Sequence, residues 1–210
     1  YQQNALNRTV EAIANGQNRI LLVMATGTGK TVISAFDYKE FKKENKSYKL
    51  LFLAHRKEIL QQSLSVYRGV LRDNNFGELW VDGLVPSNYE YVFASIQTVN
   101  NQLNELSLTP EYFNYIVIDE CHHLTANSYR AIINYFKPKV LLGLTATPER
   151  MDGGDIQEDF HNRIAAEIRL PEALNRKLLC PFQYFGITDS IDLSNIGWEK
   201  GRYISSELTN

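Results

Sequence analysis

Cysteine is scarce in this sequence, with two residues among 210. Cys121 and Cys180 cannot form a framework of several disulfides, and no C-x-x-C spacing indicates a structural zinc site. Such cysteine usage is typical of a reducing compartment, so we expect a cytoplasmic protein. Also absent is any apolar run near the roughly 18 residues that span a membrane, and we expect no membrane contact.

An excess of positive charge is absent as well. The chain has 22 Lys and Arg against 24 Asp and Glu, a formal net charge of −2, and a sequence pI near 6.1. Domains that bind nucleic acid by bulk charge have a pI above about 9, so any nucleic-acid contact must be local or shared with another domain. The hydrophobic share of 44% and the charged share of 22% exclude a disordered, collagen-like or coiled-coil chain.

Short apolar runs alternate with helical patterns along the chain. The apolar runs cover residues 19–24, 49–54, 91–95, 115–119 and 140–144. Their length and β-branched content predict parallel strands that are buried on both faces of a sheet. The helical patterns cover residues 30–44, 56–68 and 127–136. This alternation predicts an α/β fold with a doubly wound parallel sheet.

The length of the chain suits one domain of about 150 residues plus a remainder. Pro171, Pro181 and Gly186 interrupt the pattern toward the end of the chain. We predict one domain over residues 1–172 and a connector over residues 173–210 that leads toward a further domain. The chain starts without methionine, and we expect it to be part of a longer protein.

A glycine-rich segment ends the first apolar run and opens the next helix: Met24-Ala25-Thr26-Gly27-Thr28-Gly29-Lys30-Thr31. Glycines let backbone N–H groups turn toward an anion, and a helix N-terminus beneath them favours phosphate. Lys30 can then reach the β- and γ-phosphates of a nucleotide, and the Thr31 hydroxyl can coordinate Mg²⁺. The general pattern has glycine where this chain has Met24. With a strand before it and a helix after it, the segment is interpreted as a phosphate-binding loop.

Two adjacent carboxylates, Asp119 and Glu120, end the run that begins at Tyr115. Carboxylates at the end of a buried strand are costly unless a cation lies nearby, and ligands of parallel sheets bind at the carboxyl ends of the strands. We therefore predict that Asp119 binds Mg²⁺, directly or through water, and that Glu120 acts on the water that attacks the γ-phosphate. Taken alone, the pair could instead cap and open the next helix, but the phosphate-binding loop favours the catalytic interpretation.

With both a phosphate-binding loop and an acidic pair, the chain resembles the first RecA-like domain of superfamily 2 DEAD/DEAH-type helicases and translocases. Within that group it is similar to the branch that contains the Res subunits of type III restriction enzymes, type I restriction motors and excision-repair helicases. Methionine at the first position of motif I is usual in this branch. The matching segments are residues 1–2 (Q motif), 24–31 (motif I), 54–58 (motif Ia), 95–98 (motif Ib), 119–123 (motif II) and 145–148 (motif III).

The resemblance implies a role for each matching residue. ATP and Mg²⁺ are the implied cofactors, and the residues implied in holding them are Gln2, Thr26, Gly27, Thr28, Gly29, Lys30, Thr31 and Asp119. Contacts to the nucleic-acid backbone, which position a strand without reading its sequence, are implied for His55, Arg56, Ser95 and Thr98. Coupling of hydrolysis to those contacts is implied for His122, Thr145 and Thr147. Each backbone-contact residue could instead be a helix cap or a solvated side chain.

The implied function is that of the ATP-binding lobe of an ATP-dependent DNA helicase or translocase. A second RecA-like lobe of the same chain is the implied partner, and the loop over residues 149–155 is expected to face it. The alternatives are the motor subunit of a type III or type I restriction endonuclease with nuclease or methyltransferase partners, an RNA helicase, and a nucleotide-gated nucleic-acid-binding module without hydrolysis. RNA is included because backbone contacts do not distinguish bases.

Overall fold

Seven strands form one sheet in which every neighbouring pair runs parallel. They are β1 (Arg19–Met24), β2 (Leu50–Ala54), β3 (Glu78–Trp80), β4 (Tyr91–Ser95), β5 (Tyr115–Asp119), β6 (Val140–Thr145) and β7 (Ile164–Ile168). The order across the sheet is β3-β4-β2-β5-β6-β1-β7. The predicted α/β class with a parallel sheet is confirmed, and five strands lie within one residue of the predicted runs.

The computed structural model describes residues 1–123, 127–149, 156–183, 185, 197–199 and 202–203. Its helices are α1 (Gln2–Ala14), α2 (Lys30–Phe41), α3 (Lys57–Leu71), α4 (Ile96–Gln102), α5 (Asn127–Tyr135) and α6 (Leu170–Asn175), with 3-10 turns at Cys121–His123 and Ile156–Phe160. None of the helices in these ranges is long and apolar enough to cross a membrane.

Both faces of the sheet are covered, because side chains alternate between two apolar clusters along each central strand. In β1, Ile20 and Leu22 join a cluster with residues of α1, α2 and α3, whereas Leu21 and Val23 join a second cluster with residues of α4 and α5. The result is a three-layer arrangement of helices, sheet and helices. This explains why the central strands are apolar at consecutive positions.

The strand order brings three strand ends to one edge of the sheet. β6 lies between β1 and β5, with Val23 opposite Thr145 and Asp119 opposite Leu144. Because the three strands are parallel, the loops that leave their carboxyl ends emerge side by side. The glycine-rich loop, the acidic pair and the segment from Thr145 are therefore neighbours in space although far apart in sequence.

Contacts along the chain separate two compact units, Tyr1–Cys180 and Pro181–Asn210. The first unit contains the seven-stranded sheet and the six helices. In the second unit, the described residues include a short antiparallel pair, Trp198–Glu199 with Arg202–Tyr203. Most of the predicted connector lies outside the described residues.

The helix that follows the glycine-rich loop buries a carboxyl group. Asp37 of α2 is fully buried, and the Tyr115 hydroxyl donates a hydrogen bond to its Oδ2. Its Oδ1 has no hydrogen-bond partner among the described residues. Burial raises the pKa of Asp37 to about 7, against the lowering effect of the hydrogen bond from Tyr115. The folded chain therefore keeps this proton to a higher pH than the unfolded chain does.

We expect the free energy of unfolding to fall as the pH rises from about 4 to 7, since the folded state binds more protons than the unfolded state in that range. Asp37→Asn has no proton to lose and should remove about 2–3 kcal/mol of the fall between pH 5 and pH 8. Urea unfolding at both pH values measures the difference. Asp73→Asn, at an exposed position, should keep the wild-type difference. An unchanged difference in Asp37→Asn would assign the pH dependence to other groups.

Candidate nucleotide-binding site

The glycine-rich loop joins β1 to α2 and leaves the helix N-terminus without a side-chain cap. Gly29 is the N-cap residue of α2 with φ of 94°, a left-handed conformation that favours glycine. The first-turn N–H groups of a helix have no intrahelical partners, so an uncapped N-terminus offers them to an anion. The Thr28 hydroxyl closes the loop by donating to the Ala25 carbonyl oxygen at 2.5 Å. Thr26 and Gly27 are exposed at its tip, while Thr31 is half-buried in the first helical turn.

The start of α1 is tied to this loop by two side chains. The Tyr1 hydroxyl donates to the Thr28 carbonyl oxygen at 2.8 Å, and Gln2 Nε2 donates to the same oxygen at 3.0 Å. A cavity of about 540 Å³ lies beside them and is lined by Gln2, Thr28, Phe36 and Leu178 among others. The resemblance implied that Gln2 helps to hold ATP, and the structure places Gln2 at the wall of this cavity. Tyr1 belongs to the same Q-motif segment, but the sequence assigned it no role of its own.

Gly29→Ala tests the fit between the loop and α1. A Cβ at Gly29 would lie 2.5 Å from Gln2 Nε2, so the substitution must displace the Gln2 side chain. Gly16, with φ of 76°, has nothing within 4 Å of its Cβ position and is the matched control. Both variants should lose about 1 kcal/mol of stability through the left-handed backbone, but Gly29→Ala alone should also weaken ATP binding. Equal ATP affinity in the two variants, measured by calorimetry, would contradict the packing of Gln2 against the loop.

The acidic pair meets the lysine of the glycine-rich loop. Lys30 Nζ lies 3.4 Å from Glu120 Oε1, although 90 positions separate them in sequence. Asp119 ends β5 with 7% of its surface exposed, and its Oδ1 accepts a hydrogen bond from the Glu120 backbone N–H at 3.0 Å. Glu120 has φ of 50°, a conformation uncommon for a non-glycine residue and often found at functional sites. The structure therefore brings Lys30, Asp119 and Glu120 to one edge of the sheet.

The buried carboxyl group of Asp119 suits a cation. Burial, together with the neighbouring charge of Glu120, raises the pKa of Asp119 to about 6, while the Lys30 ammonium acts in the opposite direction. A divalent cation beside the carboxylate would favour the charged form and offset the cost of burial. Mg²⁺ is commonly held by one or two carboxylates together with substrate phosphates, and Asp119 and Thr31 are the residues that would hold it here.

A polar chain links the acidic pair to the end of β6. His122 Nδ1 lies 3.3 Å from Glu120 Oε2 and 3.1 Å from Thr145 Oγ1. Thr145 Oγ1 in turn donates to the Thr147 carbonyl oxygen at 2.8 Å and accepts from the Thr147 N–H at 3.2 Å. The three residues implied in coupling thus form one connected network that starts at Glu120. Its other end faces the segment that follows β6.

An open groove of about 470 Å³ lies at the ends of β2 and β4 and is lined by His55, Ser95 and Thr98. Ser95 also caps α4, because its Oγ accepts from the Thr98 N–H at 3.1 Å and shares a hydrogen bond with Thr98 Oγ1. His55 Nε2 is 2.9 Å from the Tyr129 hydroxyl. Both interpretations of Ser95, as a cap and as a groove residue, are therefore compatible. Lys57, which the sequence did not single out, lines the same groove.

The sequence predicted two further features, Arg56 as a contact to the nucleic-acid backbone and the loop 149–155 as facing a partner lobe. Arg56 is exposed at the N-cap of α3 and does not line the groove. In the loop expected to face a partner lobe, residues 150–155 lie outside the described residues. Glu149, its first residue, is exposed and pairs with Arg169, whose Nη2 is 2.8 Å from the Glu149 carboxylate.

The amino-acid sequence of this chain matches a known protein family. The model of the family "Type III restriction enzyme, res subunit" matches residues 1–150. The chain belongs to this family. The resemblance inferred from the motifs is confirmed, and the chain is a helicase-type lobe of the Res family.

Curated relatives of this Res-family chain include restriction subunits and helicases. It is 34% identical over 213 residues to the "Type I restriction enzyme EcoAI endonuclease subunit" of Escherichia coli, covering 94% of this chain and 25% of that protein. It is 30% identical over 176 residues to the "ATP-dependent DNA helicase MPH1" of Candida glabrata, covering 74% of this chain and 16% of that protein. The chain thus spans a quarter or less of these two relatives.

Solved structures share the fold. A nuclease-deletion mutant of the Type ISP restriction-modification enzyme LlaGI, in complex with a DNA substrate mimic, matches with a TM-score of 0.67 and 20% identity over 85% of this chain and 20% of that one. The helicase domain of Pyrococcus furiosus Hef matches with a TM-score of 0.55 and 24% identity over 74% of this chain and 34% of that one. These likenesses confirm the predicted RecA-like helicase fold.

Proposed function

We propose that this chain is the ATP-binding lobe of an ATP-dependent DNA helicase or translocase. The observation that carries the proposal is the 3.4 Å approach of Lys30 Nζ to Glu120 Oε1 beside the buried Asp119. A cation from the glycine-rich loop and two carboxylates from a distant strand meet where an uncapped helix N-terminus opens. This arrangement suits a nucleoside triphosphate and its metal ion.

Each element of the site has a distinct task in this proposal. The first-turn N–H groups of α2 and the Lys30 ammonium hold the β- and γ-phosphates, and Gln2 reads the adenine edge from the adjoining cavity. Thr31 and Asp119 hold Mg²⁺, which neutralises charge on the phosphates. Glu120 accepts a proton from the attacking water. The Glu120 side chain is 28% exposed, so a water molecule can reach its carboxylate.

The groove lined by His55, Ser95 and Thr98 is the proposed site for the nucleic-acid backbone. It offers polar side chains rather than a strongly basic surface, in keeping with the net charge of −2. Such contacts position a strand without reading its sequence. The network through His122 and Thr145 links Glu120 to the segment that follows β6. The LlaGI complex with a DNA substrate mimic and the MPH1 DNA helicase support DNA as the partner.

A nucleic-acid-stimulated ATPase assay on the full-length protein tests the proposal. Turnover should rise on addition of DNA and require Mg²⁺. Stimulation by RNA but not by DNA would indicate an RNA helicase instead of a DNA helicase. Nucleotide binding with no turnover under any of these conditions would favour a nucleotide-gated binding module and contradict the enzymatic proposal.

A motor subunit of a restriction endonuclease is the second candidate. The 34% identity to a type I restriction endonuclease subunit over 94% of this chain favours it. A nuclease domain in the same full-length protein, or a methyltransferase that copurifies with it, would decide for this candidate. The ATPase chemistry proposed above is the same in both cases.

We expect the 210-residue chain alone to bind ATP weakly and to hydrolyse it slowly. In the family to which it belongs, arginine fingers act from the second RecA-like lobe, and an arginine finger is typically worth about 10³–10⁵ in rate. A phosphate-release assay with this chain and with the full-length protein, each at saturating MgATP, measures the ratio. Turnover by the chain alone within tenfold of the full-length rate would contradict dependence on a second lobe.

A further inference from the structure

The chain reverses direction after α6 in a defined way. The Leu178 N–H donates to the Ala173 carbonyl oxygen and the Lys177 N–H to the Leu174 carbonyl oxygen, both at 2.9 Å. Lys177 takes a left-handed conformation with φ of 57°. These are the paired hydrogen bonds of a Schellman motif, which ends a helix and turns the chain back. We call the residues that follow, 178–180, the exit segment, because the first compact unit ends at Cys180.

The exit segment contacts the glycine-rich loop. A Cβ at Gly27 would lie 3.2 Å from Leu179 Cδ2, so the loop backbone packs against this leucine. Leu179 is partly buried against the apolar cluster that contains Met24 and Ala25. The preceding strand β7 reinforces the arrangement, since the Ala25 N–H donates to the Ile168 carbonyl oxygen at 2.9 Å. The loop proposed to hold phosphate therefore rests on residues close to the end of the unit.

The exit segment also forms part of the wall of the cavity beside Gln2. Leu178 is 40% exposed and lines the cavity of about 540 Å³ together with Gln2, Gly27, Thr28 and Phe36. Apolar side chains suit the faces of a purine ring, while Gln2 suits its polar edge. Leu178 thus lines the cavity that suits a base. Leu179 contacts the loop proposed to hold the phosphates.

We propose that the exit segment is a nucleotide-responsive element in which Leu178 contacts the base and Leu179 supports the phosphate-binding loop. This inference rests on the proposed ATP-binding function and adds a specific base contact to it. An adenine nucleotide that fills the cavity holds Leu178 in place, and ordering of the loop holds Leu179. Occupancy of the site therefore fixes the stretch of chain that leads out of the lobe.

Cys180 provides a reporter inside the segment. It is exposed, whereas Cys121, the other cysteine of the chain, is fully buried. Reaction of the native 210-residue chain with a thiol reagent such as DTNB therefore reports on Cys180. Saturating MgADP should change the rate of this reaction about two- to fivefold, because holding the segment alters the access of the reagent to the exposed thiol. MgADP binding is measured in parallel by calorimetry.

Leu178→Ala tests the base contact, with Leu170→Ala as the matched control. Leu170 is a similarly exposed leucine of α6, at 43%, and does not line the cavity. Leu178→Ala should bind MgADP about three- to tenfold more weakly and lose the Cys180 response, through loss of apolar contact, whereas Leu170→Ala should match the wild type. Leu178→Met, which keeps most of the apolar volume, should restore both. One reactive thiol per chain verifies that each variant is folded.

The outcomes of these experiments distinguish the proposal for the exit segment from the proposed nucleotide site. MgADP binding without any change at Cys180, or with equal affinity in Leu178→Ala and the wild type, would overturn the role of the exit segment and leave the nucleotide site standing. Absence of MgADP binding by the wild-type chain at millimolar concentration would overturn the proposed nucleotide site and this inference with it.

Discussion

Glu120→Gln is expected to lower kcat for ATP hydrolysis by the full-length protein by about 10²–10⁴-fold, the usual contribution of a general base. The amide keeps the size of the side chain but cannot accept the proton of the attacking water. ATP binding should remain close to that of the wild type, because Lys30 and the N–H groups of α2 stay in place. Steady-state phosphate release and calorimetric ATP binding measure the two quantities.

Glu105→Gln is the matched control for this substitution. Glu105 is exposed and lies on the segment after α4, away from the nucleotide site, so the same chemical change should leave kcat unaltered. Equal turnover by Glu120→Gln and the wild type would remove Glu120 from the role of base. A parallel loss of ATP affinity would instead assign Glu120 to positioning of Lys30, which lies 3.4 Å from it.

Lys30→Ala is expected to lose both binding and turnover. Removal of a charged hydrogen-bond donor to phosphate should weaken ATP binding by about 10- to 100-fold. Asp119 and Glu120 would also lose the cation beside them, so the pKa of the buried Asp119 should rise above its wild-type value of about 6. The same pair of assays, performed at pH 7 and pH 8, detects both effects.

Lys43→Ala serves as the control for the loss of a lysine. Lys43 is an exposed residue two positions beyond the end of the same helix, where it pairs with Glu40 at 2.6 Å. Its removal should leave ATP affinity within twofold of the wild type. ATP affinity in Lys30→Ala equal to that in Lys43→Ala would contradict the assignment of the glycine-rich loop to phosphate binding.

The central part of the fold was predictable because its strands are buried on both faces. Runs such as residues 115–118 are apolar at every position and bounded by polar residues, which is a strong local signal. The edge strands β3 and β7 escaped prediction, since they are short or only partly buried and so lack that signal. Helix α4 escaped because it starts directly after β4, where Ser95 both ends the strand and caps the helix.

The residues of the proposed nucleotide site could be identified where they lie next to each other in sequence. The glycine-rich loop and the acidic pair are each contiguous, and the parallel order of β1, β6 and β5 brings them together. Contacts made by single residues from elsewhere left no such pattern. Tyr1 reaches Thr28 from the start of α1, and Leu178 reaches the cavity through the turn after α6. These contacts depend on tertiary packing, which no local spacing encodes.

A crystal structure of the full-length protein with a non-hydrolysable ATP analogue and Mg²⁺ would show whether the glycine-rich loop and the acidic pair hold the nucleotide and its metal ion. We expect Lys30 Nζ to contact the β- and γ-phosphates and the metal ion to bind Thr31 and Asp119, with Glu120 beside the γ-phosphate. A nucleotide bound away from the glycine-rich loop, or a metal ion with neither Thr31 nor Asp119 in its coordination sphere, would contradict this expectation.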